Sequence, residues 1–165
     1  RVLGVSGEDA AGALSKFTAP KMRMEILERA GMRIINDAYN ANPLSMRAAA
    51  DTLAVMRKDR PGRLVAALGD MRELGDIAVG AHREVGRLFG ALGPAALLFV
   101  GEHAGDYRKG ALEAGMDGES VKTFKTAPDA AGYLYSIVRA GDTVFVKGSR
   151  ALGMERLAAT QDGKV

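Results

Sequence analysis

The sequence predicts an α/β fold, an open and mostly parallel sheet with helices on both faces. Three observations predict it. Short apolar runs and longer helical stretches alternate five times from residue 33 onward, and such alternation implies parallel strands joined by right-handed crossovers. Hydrophobic residues are 47% of the 165 but aromatics only 5%, a balance of small side chains that lets helices lie close on a sheet. Polar and glycine-rich segments recur just after the apolar runs, where open parallel sheets bind ligands. A chain of this length suits one domain, or one domain plus a fragment of another. A domain of this size buries ~70% of its unfolded surface and needs no disulfide or metal to fold.

Taken in order, Ser6 with Asp9 three residues later is a capping pattern. Ala10, Ala11, Ala13, Leu14 and Phe17 then give a helical apolar stripe before Pro20. Two short extended runs follow, 24–28 and 32–35, separated by Arg29, Ala30 and Gly31, and read as a hairpin or as two strands at a boundary. Strands are then expected at 33–37, 64–69, 97–101, 121–124 and 143–147. Helices are expected at 43–58, 77–92, 104–114, 128–139 and 152–159. Asn42 followed by Pro43 is a helix start, a cap residue with proline at the first helical position. Residues 160–165 read as a frayed tail. The rhythm changes near residue 35. The preceding stretch is therefore the trailing edge of an earlier domain with a connection, or an amino-terminal decoration of a single domain.

Composition removes several classes of function. There is no cysteine, which excludes disulfides and thiolate metal sites and fits a cytoplasmic protein. No apolar run approaches the ~20 residues of a membrane span, and no signal peptide is visible. The formal charge is only +3. The one basic cluster, Arg57, Lys58, Arg60 and Arg63, sits at a helix end, where cations are favoured by the helix dipole. Nucleic-acid binding would need basic residues along a whole face with aromatics between them. His82 and His103 have no third ligand in register and read as structural or exposed, so no metal site is expected. Neither a G-x-G-x-x-G nor a G-x-x-x-x-G-K-[ST] motif occurs.

The candidate chemistry lies along one rim. After the first strand come Asp37, Tyr39 and Asn40, beyond what capping by Asn42 requires. A carboxylate there can accept two hydroxyls, as from a ribose, and Tyr39 offers a flat face to a base. After the second strand come Gly69, Asp70 and Gly75, a segment that also reads as a turn with a cap. Gly101, Glu102 and His103 follow the third. Lys147, Ser149 and Arg150 follow the fifth, two cations and a hydroxyl at a helix entrance, where anions are favoured; a surface ion pair is the plainer reading.

Four strings carry a resemblance. IINDAYNANPLSM resembles a D-S-Y-N-A-N-P-x-S-M segment, ALGDMRELG a G-D-M-x-E-L-G turn, HREVG an H-x-x-V-G helix, and VFVKGSRALGMERL a V-K-G-S-R-x-x-x-M-E ending. All four, in this order, are found in the carboxy-terminal domain of the Mur ligases, in the branch that adds D-alanyl-D-alanine. They cover about residue 19 to residue 158. Upstream, APKMRME resembles the P-x-x-G-R-x-E end of the family's central ATPase domain, with Met22 in place of the glycine, which leaves room for a different backbone there. The string YNANP separates this chain from folate and cyanophycin ligases, which show a D-Y-A-H-x-P type of segment. A phosphoacceptor receiver domain would need more acidic residues than Asp37 after its first strand.

The resemblance implies an ATP- and Mg²⁺-dependent amide ligase of peptidoglycan precursor synthesis. The carboxylate of a UDP-N-acetylmuramoyl-tripeptide becomes an acyl phosphate, which the amine of D-alanyl-D-alanine attacks. Residues 1–35 would be the end of the ATPase domain plus a hinge near 35–37, 36–160 the carboxy-terminal domain, and 161–165 a tail. The P-loop, the Mg²⁺ carboxylate and the modified lysine would lie in the central domain and UDP recognition in an amino-terminal domain, so no complete catalytic set is expected here. By the same resemblance Arg23 lies near the ATP phosphates, Asp37 holds the ribose, and Tyr39 and Asn40 lie beside the nucleoside. Asp70, Lys147, Ser149 and Arg150 face the dipeptide and the tripeptide's end. Lys147 or Arg150 would pair with the dipeptide carboxylate, and Lys147→Ala would raise KM for the dipeptide more than for ATP. A non-catalytic nucleotide- or partner-binding module shares the fold and the rim; a P-loop encoded upstream of Arg1 would separate the two.

Overall fold

The computed structural model describes residues 4–16, 20–59 and 62–159. The expected positions Phe17, Ala19 and Arg60 and the tail 160–165 lie outside them. Six strands form one sheet in the order β1-β2-β6-β3-β4-β5. They are β1 (Glu25–Arg29), β2 (Met32–Asp37), β3 (Leu64–Gly69), β4 (Ala96–Val100), β5 (Val121–Phe124) and β6 (Thr143–Lys147). Only β1 is antiparallel; every other pairing is parallel. The helices are α1 (Gly7–Leu14), α2 (Pro43–Asp59), α3 (Ala78–Ala91), α4 (Ala104–Glu113) and α5 (Ala127–Ile137).

Alternating side chains send each strand's residues to two cores. Ile35, Ala66, Leu68, Phe99 and Phe145 pack with Met46 and Leu53 of α2, Val85 and Phe89 of α3 and Tyr107 of α4. Ile34, Val65, Leu98 and Val146 pack on the other face with Leu134 of α5 and with Met154 and Leu157. Helices α3 and α4 cross closely because the contact points are glycines. A Cβ at Gly86 would overlap the Tyr107 carbonyl, and one at Gly110 the Arg83 carbonyl.

Two expectations change. The hairpin is not separate from the alternating unit: β1 pairs with β2, and β2 is also the second strand of the sheet. Residues 35–37 are hydrogen-bonded strand, with Ile35 paired to Ile26 on one side and Phe145 on the other. The last helix is replaced by two 3₁₀ turns, Arg150–Leu152 and Met154–Leu157, interrupted by Gly153 in the left-handed region at φ 64°. Helix α1 is capped as expected, Ser6 accepting from the Asp9 N–H, but buries none of its residues. In the basic cluster, Arg57 donates to the Leu92 carbonyl and Arg63 lies 3.8 Å from Asp142, so both serve the fold. No helix among the described residues is long and apolar enough to cross a membrane.

Candidate functional site

The carboxyl ends of β2, β6 and β3 lie side by side, and the segments singled out in the sequence leave from them. Asp37 and Lys147 are register partners on neighbouring parallel strands, and Lys147 is also level with Leu68 of β3. Asp70 follows β3 by one residue. All eight candidate positions belong to this rim or to the loop that enters it.

On the β2 side, Arg23, Met24, Asp37, Tyr39, Asn40, Asn42, Ser45 and Lys147 line an open cleft of about 280 Å³. The Asp37 carboxylate accepts the Met24 N–H on Oδ1 at 3.1 Å and the Lys147 ammonium on Oδ2 at 2.5 Å. Lys147 Nζ also donates to the Asn40 carbonyl at 2.9 Å. The Lys147 side chain is only 3% exposed and that of Asp37 15%. Lys147 therefore belongs with Asp37 and Asn40. The Arg23 guanidinium lies 4.0 Å from the centre of the Tyr39 ring, and that of Arg150 5.6 Å, distances at which a cation is drawn to an aromatic ring. The Asn40 carboxamide oxygen accepts the Ala41 N–H at 2.8 Å. Asn42 caps α2 reciprocally with Ser45, as its sequence position implies, and lines the cleft as well.

The loop carrying Arg23 is held in register by several bonds. Tyr39 N–H donates to the Met22 carbonyl, and Glu25 accepts from the Met22 N–H and the Asn36 side chain. Met22 has φ 61°, the left-handed region that glycine enters freely.

On the β3 side, the Asp70 carboxylate accepts the backbone N–H groups of Glu102 and His103, at 2.7 and 3.2 Å. It thereby serves the start of α4. Gly101 makes this possible: at φ 125°, a Cβ there would overlap the carboxylate. Ser149 is buried, and its N–H donates to the Asp70 carbonyl at 3.2 Å. Arg150 is exposed. Gly148 and Gly69 let the two loops touch, since a Cβ on Gly148 would lie 3.1 Å from the Gly69 Cα. Beneath them, fully buried His82 accepts the Met71 N–H on Nε2 at 3.0 Å, and its Nδ1 donates to the Ala78 carbonyl at 2.6 Å. Both nitrogens are used by a neutral ring, and burial holds its pKa below 6.5. His103 stacks on it at 4.3 Å. The Tyr107 hydroxyl donates to the Gly69 carbonyl at 2.9 Å, and burial keeps it protonated. His103 also bonds Asp106 through Nδ1 at 2.9 Å.

A second cleft of about 370 Å³ opens beside Asp70, lined by Arg72, Gly101, Glu102, Lys125 and Leu152. It carries two cations and two carboxylates. Arg72 and Lys125 were not singled out from the sequence. The strand-end rule would have found Lys125, the residue after β5, had it been applied to that strand. Asp37 and Asp70 already accept N–H or ammonium donors, and among the described residues no three His, Cys, Asp or Glu are placed to hold a metal ion. The rim does not fit a Mg²⁺ site of its own.

Comparison with known proteins gives the same strings a wider context. The family described as "Mur ligase, glutamate ligase domain" matches residues 22–150. The UDP-N-acetylmuramoyl-tripeptide–D-alanyl-D-alanine ligase of Mycobacterium leprae is 37% identical over 172 residues, 94% of this chain and 33% of that protein. The Bacillus subtilis ligase of the same name is 31% identical, over 93% of this chain and 33% of its own length. A crystal structure of MurF from Acinetobacter baumannii superposes with a TM-score of 0.77 at 34% identity, over 94% of this chain and 33% of that one. The chain thus spans about a third of the length of these relatives. With the family's domain matched over most of its length and the fold reproduced, the chain belongs to the Mur ligase family, through its carboxy-terminal glutamate ligase domain.

Proposed function

We propose that this chain is the carboxy-terminal domain of an ATP-dependent ligase that joins D-alanyl-D-alanine to UDP-N-acetylmuramoyl-tripeptide in peptidoglycan precursor synthesis. The observation that carries the reading is the convergence of Arg23, Asp37, Tyr39, Asn40 and Lys147 on one cleft, at the rim where parallel sheets receive nucleotides. Relatives named for this reaction over almost the whole chain support it.

In this reading Asp37 takes the ribose, Tyr39 and Asn40 flank the nucleoside, and Arg23 leaves the Tyr39 ring for the phosphates. The dipeptide is a zwitterion, and the second cleft offers it both signs of charge, with Asp70 on its wall and Ser149 and Arg150 nearby. The central ATPase domain would supply the P-loop and Mg²⁺, and the amino-terminal domain the UDP site. The boundary with the central domain then falls upstream of β1, because the hairpin is part of the sheet. A carboxylate oxygen of the tripeptide attacks the γ-phosphorus and ADP leaves. The dipeptide amine then attacks the acyl carbon, and phosphate departs with that oxygen. Cations at the rim would stabilise the charge that builds on the transferring group.

The test uses the full-length ligase with tripeptide labelled by ¹⁸O in its terminal carboxylate. One ¹⁸O should appear in each phosphate released, and release should require both the tripeptide and D-alanyl-D-alanine. Unlabelled phosphate would remove the acyl phosphate, and release without the dipeptide would remove the ligase.

A further inference from the structure

We propose that Lys147 is a positioning residue for the nucleotide's ribose, setting the Asp37 carboxylate so that it can take a vicinal diol. The inference rests on the reading of Asp37 as the ribose-binding group. A carboxylate has about four lone-pair sites. One on Oδ1 is filled by the Met24 N–H and one on Oδ2 by Lys147 Nζ, which leaves one on each oxygen. Two acceptors on one rigid group are what a 2′,3′-diol requires. Two anchors also stop rotation of the carboxylate, so its orientation is fixed before the nucleotide arrives.

The placement follows from the sheet. Register partners on parallel strands point to the same face, so Asp37 and Lys147 leave adjacent strand ends together. Lys147 also bonds the Asn40 carbonyl at 2.9 Å, and therefore fixes the turn between Asp37 and Asn40 as well as the carboxylate. At 3% exposure its ammonium is enclosed. An ion so far from water is tolerable only while its bonds hold, which makes it a fixed strut rather than a group free to meet a second substrate.

In the full-length ligase, the test compares ATP with 2′,3′-dideoxy-ATP. The wild type should favour ATP in kcat/KM by tenfold or more. Lys147→Met should bring that ratio at least fivefold nearer to one, with KM for D-alanyl-D-alanine within twofold of wild type. Asp37→Asn should do the same, and the double variant should add nothing further. Lys147→Arg keeps a cation but cannot reproduce both bonds in so tight a space. It should discriminate at an intermediate ratio, and it decides the matter if the Met variant does not fold. A wild type that discriminates, with a Lys147 variant that discriminates equally well, overturns the proposal alone. A wild type indifferent to the two hydroxyls overturns the ribose role of Asp37, and the proposal with it.

Discussion

Met22 holds a side chain in a backbone conformation that favours glycine. Its φ of 61° places an L side chain where the backbone pays about 1–2 kcal/mol, while glycine would lose about 0.5–1 kcal/mol more chain entropy on folding. Met22→Gly should therefore leave the domain unchanged or stabilise it by up to ~1 kcal/mol in urea unfolding. A loss beyond ~1 kcal/mol would mean that its half-buried side chain outweighs the strain. Most of the rim residues were legible one by one, because each lies at or just after a strand end; Arg23, ahead of β1, came only from the resemblance. Their pairing was not legible. Lys147 lies 110 positions from Asp37, and β6 sits between β2 and β3, so Asp37 and Asp70 flank it on either side. Only the geometry of the strand ends selects the first. Met24 was invisible for another reason: it acts through its N–H, which every residue but proline has.

At the level of elements, periodicity located β2 to β6 and α2 to α5 to within a residue or two, because each buries a clear face. It failed after β6. The apolar positions of 152–159 suit a helix, yet Gly153 takes a left-handed dihedral and splits the segment into two tight turns. The pinning of the 69–75 loop onto α3 and α4 was equally hidden, since it runs through buried His82 and its backbone partners Met71 and Ala78. That element carries a pH signature. The folded pKa of His82 lies below 6.5, so the unfolded chain binds the proton more readily, and stability falls as pH drops below about 6.5. His103, Asp70 and Asp106 face the ring and modulate the effect. Urea unfolding at pH 7.5 and 5.5 should show this loss in the wild type and less of it in His82→Gln. Equal losses in both would place the acid sensitivity elsewhere.

For the molecule as a whole, strand–helix alternation announced the doubly covered sheet, and the antiparallel edge strand was the part it misassigned. Hairpin residues carry no sign of which sheet they will join. In the proposed reading the chain presents one wall of a nucleotide site. An aspartate–ribose bond pair with stacking nets ~3–5 kcal/mol before association costs, whereas a 1 mM dissociation constant already requires about 4.1 kcal/mol. The isolated chain should thus bind ATP no tighter than millimolar in calorimetry and release no phosphate; sub-micromolar binding would contradict this. The direction of β1 has a mechanical consequence. Because it runs against β2, the polypeptide arrives at the sheet beside Asn36, at the end where Asp37 and Lys147 lie, and the arriving loop bonds directly to Asp37 and Tyr39. Tension on residues 20–24 acts on those two bonds like a drawstring: the approach path and the Asp37 carboxylate cannot shift independently of each other.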